Sequence, residues 1–170
     1  MLNDTTLSLI DGRRVTIRPI QPSDTVMEND FVRHLSALTK HYRFFGAVKE
    51  LQAAELSQFC NVDGCHSMAF VATVQDGERE VEIGVCRYAP AAKPDAREMA
   101  VTITDDWQDS DLAGVLVQHL VESAKRNGVR ELHAVELSDN LAMCDLARAI
   151  GMSAARDPAD ATQVIYSLSL

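Results

Sequence analysis

The sequence predicts an α/β (α+β) protein: a mixed, mostly antiparallel sheet of about seven strands with helices on both faces. Two observations carry that prediction. The first is the stretch from Glu98 to Asn127, in which an apolar strand runs through a polar turn into a long amphipathic helix. The second is the order of the remaining segments. Short alternating strands joined by a hairpin signal precede this stretch, and strand and helix patterns alternate after it.

In chain order, Arg14 to Ile20 alternates polar and apolar residues and reads as a first strand, with Val15, Ile17 and Pro19 facing one way. Gln21-Pro22-Ser23-Asp24 ends it and offers the cap of a helix over about 25–38. Lys40 to Gly46 reads as an aromatic link whose Tyr42, Phe44 and Phe45 pin the first two helices to the sheet, with a place in the lining of the acceptor cleft as the second reading. A second helix over about 50–60 builds its apolar stripe from Leu51, Ala54 and Phe59, with Leu56 beside them. Met68 to Val74 is a strand, Asp76-Gly77 a hairpin turn and Val81 to Tyr88 the returning strand. Ala89 to Asp95 is a loop.

In the central strand Met99, Val101 and Ile103 share one face, and Glu98, Ala100 and Thr102 the other. In the helix that follows, Leu112, Leu116, Leu120 and Ala124 recur every four residues, flanked by Ala113, Val117 and Val121, and Asn127-Gly128 stops it. A strand near Glu131–Leu137, an Asn140-capped helix over about 141–150 ended by Gly151, a strand starting near Met152 and a closing strand at Val164–Leu168 complete the set. Without a repeat, low-complexity tract or linker, residues 1–170 read as a single domain.

Apolar content of 46% and charged content of 24% describe an ordinary folded protein. A net charge of −9 argues against nucleic acid and anionic membrane as partners and leans weakly towards a cationic or amine-bearing one. No run reaches the roughly 20 apolar residues of a membrane span, and the start has its polar and basic residues in the wrong order for a signal peptide. A cytoplasmic location is expected, and the scattered cysteines 60, 65, 86 and 144 suit a reducing compartment. Cys60, Cys65 and His66 lack an evident fourth ligand, so the two cysteines are read as buried thiols and no metal is expected. His119 and His133 have no companion nucleophile, which leaves no triad.

The turn between the central strand and its helix aims free backbone N–H groups at one spot, an arrangement that suits an anion. Residues around it carry a family likeness. YRFFGAVKEL (42–51) with FCNVDGCHSMAFVA (59–72), then IGVCRY (83–88), then EMAVTITDDWQ (98–108), followed by SDNLAM (138–143) and IGM (150–152), together resemble the GNAT superfamily of acyl-CoA-dependent N-acyltransferases. The likeness is closest to the GNAT domain of bacterial protein lysine acetyltransferases and covers about 14 to 168. It implies the GNAT fold, acetyl-CoA as co-substrate, and an amine acceptor, either a protein lysine or a small amine. The synthetase-like region to which such domains are often fused is not expected here. A homodimer is compatible with this picture.

The resemblance also assigns residues. The family turn Gln/Arg-x-x-Gly-x-Gly/Ala, whose amides hold the CoA pyrophosphate, here reads Gln108-Asp109-Ser110-Asp111-Leu112-Ala113. Asp111 replaces a glycine and Asp109 adds a second charge. If Asp111 faced the pyrophosphate, two charges about 5 Å apart at an effective dielectric near 20 would repel by roughly 3 kcal/mol. An alternative has Ser110 and Asp111 merely capping the helix. Val101, Thr102 and Ile103 would pair through their main chain with the pantetheine arm. Asn140 matches the family asparagine near that arm, or is only a helix cap. The tyrosine that many relatives use as general acid is Ala147 here.

Amine acetylation needs a base, and Glu98 matches the glutamate that opens the central strand in the lysine-acetylating relatives. Partial burial would raise its pKa. A structural role, paired with Arg97 or Arg87, is the competing reading, and Glu82 is a second choice of base. The function expected is acetyl transfer from acetyl-CoA to a primary amine by direct attack. The alternative is a catalytically impaired GNAT-like binding or regulatory module, for which Asp109, Asp111 and the missing tyrosine are the evidence.

Overall fold

The computed structural model describes residues 5–46 and 48–170. The first four residues and Ala47, which the first string of the family likeness spans, lie outside them.

The described residues form one eight-stranded sheet in the order β1-β2-β3-β4-β5-β6-β8-β7. Its strands are β1 (Thr6–Ile10), β2 (Arg13–Pro19), β3 (Met68–Asp76), β4 (Arg79–Pro90), β5 (Ala96–Ile103), β6 (Glu131–Leu137), β7 (Ser153–Arg156) and β8 (Gln163–Ser169). All pairs are antiparallel except β5 with β6. The helices are α1 (Thr25–His34), α2 (Ala37–Phe44), α3 (Ala53–Cys60), α4 (Leu112–Arg126) and α5 (Leu141–Ala149).

One strand more than expected is present. β1 pairs with β2 across a turn in which Asp11 and Gly12 both take positive φ (50° and 76°), the backbone of a tight hairpin. Leu7 and Leu9 on this edge strand face solvent (68% and 70% exposed), so its apolar residues do not mark a buried face. The helix expected over 25–38 is broken at Leu35, whose extended backbone precedes the Ser36 cap of α2. The expected aromatic link is therefore mostly helix. Phe44 packs in a core, Phe45 is 46% exposed, and Ala54 faces solvent.

The sheet separates two cores. On one face Leu112, Leu116, Leu120 and Ala124 of α4 are wholly buried against β3, β4 and β5, as their spacing requires. On the other, Phe31, Val32, Leu51 and Cys60 pack on Ala69, Val71 and Val85. Burial pushes the Cys60 thiol up to about 12. Gly84 on β4 lets α4 approach. A methyl there would stand 2.7 Å from Ile103 Cδ1 and 3.2 Å from Leu116 Cδ1. Gly84→Ala is therefore expected to lower stability by about 1–3 kcal/mol, read from urea unfolding.

The second core holds an unusual carboxyl. Glu82 is 3% exposed and neither of its oxygens has a hydrogen-bond partner. Burial first, and the nearby Glu28 charge second, hold its pKa well above the usual carboxylate value. A raised folded-state pKa means that the stabilising contribution is complete below the unfolded value of about 4.5 and is lost as pH rises through the folded one. Glu82→Gln should thus melt higher than the parent at pH 8 and lose that advantage progressively as pH falls to about 4, as thermal melts across the range would show.

Candidate active site

β5 pairs with β6 only at Ala96↔Glu131, Arg97↔Leu132 and Glu98↔His133. Beyond Glu98 the two strands part. β5 stays bonded to β4 as far as Ile103↔Gly84, and β6 to β8 along its whole length. A cleft of about 780 Å³ fills the gap. Its walls are β5 from Glu98 to Ile103, the Thr39, Tyr42 and Arg43 face of α2, residues 108–111 and 113–115, and Glu136 with Asn140.

The turn at the head of α4 is held from below. Trp107 is buried with the Arg13 guanidinium 3.3 Å over its ring, so it packs the turn rather than facing the cleft. Thr104 donates its amide to Ile83 O (2.9 Å), next to the point where β4 slips register against β3. Ser110 Oγ donates to Trp107 O (2.6 Å) and accepts the Leu112 N–H (3.3 Å). The first helical bond is Val115 N–H to Asp111 O (3.1 Å).

Among the described residues no protein group accepts from the amides of Asp111, Ala113 or Gly114. The Asp111 side chain makes no cap bond and is exposed, as is Asp109. Ser110 therefore caps one amide and leaves three open at the positive end of a 15-residue helix.

Two residues of this turn differ from expectation. Leu112 is fully buried and its N–H is taken by Ser110, so it offers the cleft nothing. The Gln108 amide lies in the wall but donates to Thr39 Oγ1 (3.0 Å) and Ile103 O (3.1 Å), a brace between turn, strand and α2. The brace continues through Asp105, which accepts from the Ser36 amide (3.1 Å), the Ser36 hydroxyl (2.7 Å) and the Thr39 hydroxyl (3.0 Å). The start of α2 and the turn before α4 are thus tied together.

Comparison with known proteins matches residues 14–153 to the acetyltransferase (GNAT) domain family. The chain belongs to the GNAT family. It is 46% identical over 164 residues to an acetyltransferase of Pseudomonas aeruginosa, covering 96% of this chain and 88% of that one. It is 29% identical over 133 residues to acetyltransferase Pat of Mycolicibacterium smegmatis, covering 78% of this chain and 39% of Pat. Among solved structures, the GNAT domain of S. lividans PAT matches with a TM-score of 0.89 at 25% identity, over 98% of this chain and 97% of that domain. The yncA protein of Salmonella typhimurium, solved with its cofactor acetyl-CoA, shares the fold with a TM-score of 0.73 at 16% identity, over 92% of this chain and 94% of yncA.

In this GNAT acetyltransferase Glu98 lies in the cleft wall on the α2 side of the sheet, but it is exposed rather than partly buried. Neither arginine offered as its partner takes it. Arg97 donates to Pro94 O (2.9 Å) and Ala96 O (2.8 Å), Arg87 to Phe59 O and Glu28 (both 3.1 Å). Glu82, the second choice, is sealed behind β4 and does not line the cleft. Asn140 caps α5 through Met143 N–H (3.2 Å), lines the cleft, and donates to Glu136 Oε2 (3.1 Å). Ala147 is buried.

Several wall residues lie outside the expected set, whereas Tyr42 takes the cleft-lining place that is the second reading of the 40–46 aromatics. Tyr42 donates its hydroxyl to Asp139 O (3.2 Å). Arg43 stacks over the Phe44 and Phe59 rings, and burial and the Arg87 charge lower its pKa to about 10. Gly114 presents bare main chain. Glu136 is buried, and that burial raises its pKa to about 7 against the Asn140 bond and the Arg43 charge. A signal for it exists: Leu132, Ala134 and Glu136 share one strand face, so a carboxyl falls in line with core residues.

Elsewhere Cys60 is buried, but Cys65 and His66 are exposed, with His66 Nδ1 2.9 Å from Asp63 Oδ2. No group of three His, Cys, Asp or Glu residues among the described ones could hold a metal ion. No described helix is long and apolar enough to cross a membrane.

Proposed function

We propose that this acetyltransferase moves an acetyl group from acetyl-CoA to a primary amine by direct attack of the amine on the thioester. The observation that carries the reading is the parting of β5 from β6 beyond Glu98, which leads an unpaired strand edge to the three open amides of α4. In this assignment the amides of Asp111, Ala113 and Gly114 take the diphosphate, with Asp109, Ser110 and Gln108 shaping the turn around it. The main chain of Val101, Thr102 and Ile103 takes the pantetheine arm, and Asn140 borders it. Glu98, directly or through water, removes the proton of the ammonium form.

Donor set and ligand chemistry fit: neutral N–H groups at a helix start for an anion, a strand edge for amides. The acceptor is a protein lysine or a small amine. Its identity is tested by assaying a lysine peptide beside small primary amines.

Binding is tested by thermal shift. At 100 times its dissociation constant acetyl-CoA should stabilise the fold by about 2.7 kcal/mol. No shift at millimolar acetyl-CoA would contradict the assignment. Asp111 is exposed, so at the dielectric of water its charge at about 5 Å from the diphosphate costs roughly 0.8 kcal/mol before salt screening. Asp111→Gly should therefore tighten acetyl-CoA by less than about fivefold in a calorimetric titration, well short of what a carboxylate inside the site would produce.

A further inference from the structure

An acyl transfer from a thioester ends with a sulfur that must be protonated, and the wall of this cleft holds few protic groups that are free. The Tyr42 hydroxyl donates to Asp139 O, the Thr39 hydroxyl to Asp105, and the Ser110 hydroxyl to Trp107 O. The Thr102 hydroxyl is sealed from the cleft. Glu136 is different. It is 8% exposed and lines the cleft, yet only one of its oxygens is held.

Asn140 holds Oε2, and it cannot turn its amide over because its own oxygen caps α5. No hydrogen-bond donor among the described residues reaches Oε1, which is not sealed from solvent. The register places the carboxyl. Glu98 and His133 are the last pair of β5 and β6, and three residues further along each strand stand Val101 and Glu136, on opposite banks of the gap. This is the level at which the cofactor arm is assigned. The ionisable groups around Glu136 are Arg43 from α2, Cys144 from α5, Tyr166 from β8, and Glu98 from β5 in the same cleft.

We propose that Glu136 is the acid of the reaction, giving the proton on Oε1 to the departing sulfur. The role rests on the function proposed above. The amine nitrogen forms its bond to the carbonyl carbon, the carbon–sulfur bond breaks, and its electron pair stays on sulfur, which takes the Glu136 proton. The proton shed by nitrogen goes to Glu98 or water, and the Glu136 carboxylate recovers a proton from solvent through the cleft. Exposed Glu98 and largely buried Glu136 give the two carboxyls opposite tasks. Burial keeps a large protonated fraction of Glu136 near neutral pH, and an ordinary thiol, with a pKa near 8.5, is the stronger base.

Two readouts on Glu136→Gln test the role. Carboxyl ¹³C titration of the ligand-free protein should show one glutamate with a midpoint near neutrality that is missing from the variant. A Glu136 midpoint in the ordinary range of about 4–5 overturns the proposal. In pH–rate profiles the wild-type kcat should fall at high pH. Glu136→Gln should lose that limb and 10- to 100-fold in kcat, with the dissociation constant for CoA within about twofold. Acetyl donors with more acidic thiols should recover part of the loss. A variant with wild-type kcat and an unchanged high-pH limb overturns the acid alone. A wild type that transfers no acetyl group to any amine overturns both the acid and the function on which it rests.

Discussion

Glu98→Gln is expected to lower kcat by about 100-fold, within the range a positioned general base contributes, while acetyl-CoA binds within about twofold of wild type. The separation follows from position. Glu98 marks the last rung of the β5–β6 ladder, on the face turned towards α2, whereas the open amides lie beyond the far end of β5. The amide of glutamine keeps the size of the carboxyl and removes only its capacity to take a proton. Since Glu98 is exposed and makes no ion pair with Arg87 or Arg97, its loss leaves no stranded partner, and the melting temperature should stay unchanged. Steady-state kinetics beside a binding titration checks both parts. Unchanged turnover would remove Glu98 from the reaction.

Gly114→Leu is expected to weaken acetyl-CoA at least tenfold while raising stability. A Cβ at Gly114 would meet no protein atom within 4 Å, so the new side chain occupies open cleft at the head of α4. Leucine is the better helix residue by up to about 0.8 kcal/mol, worth a few degrees of melting temperature in a chain of this size. Loss of affinity together with a gain in stability cannot come from a damaged fold. A calorimetric titration and a thermal melt of the same preparation would show whether the two effects part in this way.

Much of the fold was legible in the sequence because the two periods are clean. Leu112, Leu116, Leu120 and Ala124 at four-residue spacing, and the alternation of Val15 and Ile17, match faces that are wholly buried. β1 was missed because its leucines point into water, so pattern and burial disagree there. The break at Leu35 was missed because it turns on one extended residue, whose position is fixed by the contacts of Ser36 with Asp105, far away in sequence.

The turn at 108–113 could be found because a strand, a polar turn and a long apolar-striped helix leave few other places for open amides. The direction of Asp111 could not be read from residue types, since aspartate is as good a cap as it is a solvent-facing charge. Tyr42 was legible only as a second reading of the 40–46 aromatics, and Arg43 was obscured by the reading of that stretch as a link. Only the helix brings them round to the cleft.

The central claim is that main-chain donors at the start of α4 hold the diphosphate. Amide ¹⁵N–¹H spectra during titration with CoA, and separately with pantetheine, which lacks the diphosphate, test it residue by residue. Asp111, Ala113 and Gly114 should shift strongly with CoA and little with pantetheine, while Val101 to Ile103 shift with both. If the three helix-start amides stay still with CoA, or move equally with pantetheine, the cofactor does not sit where these donors point and the account is wrong.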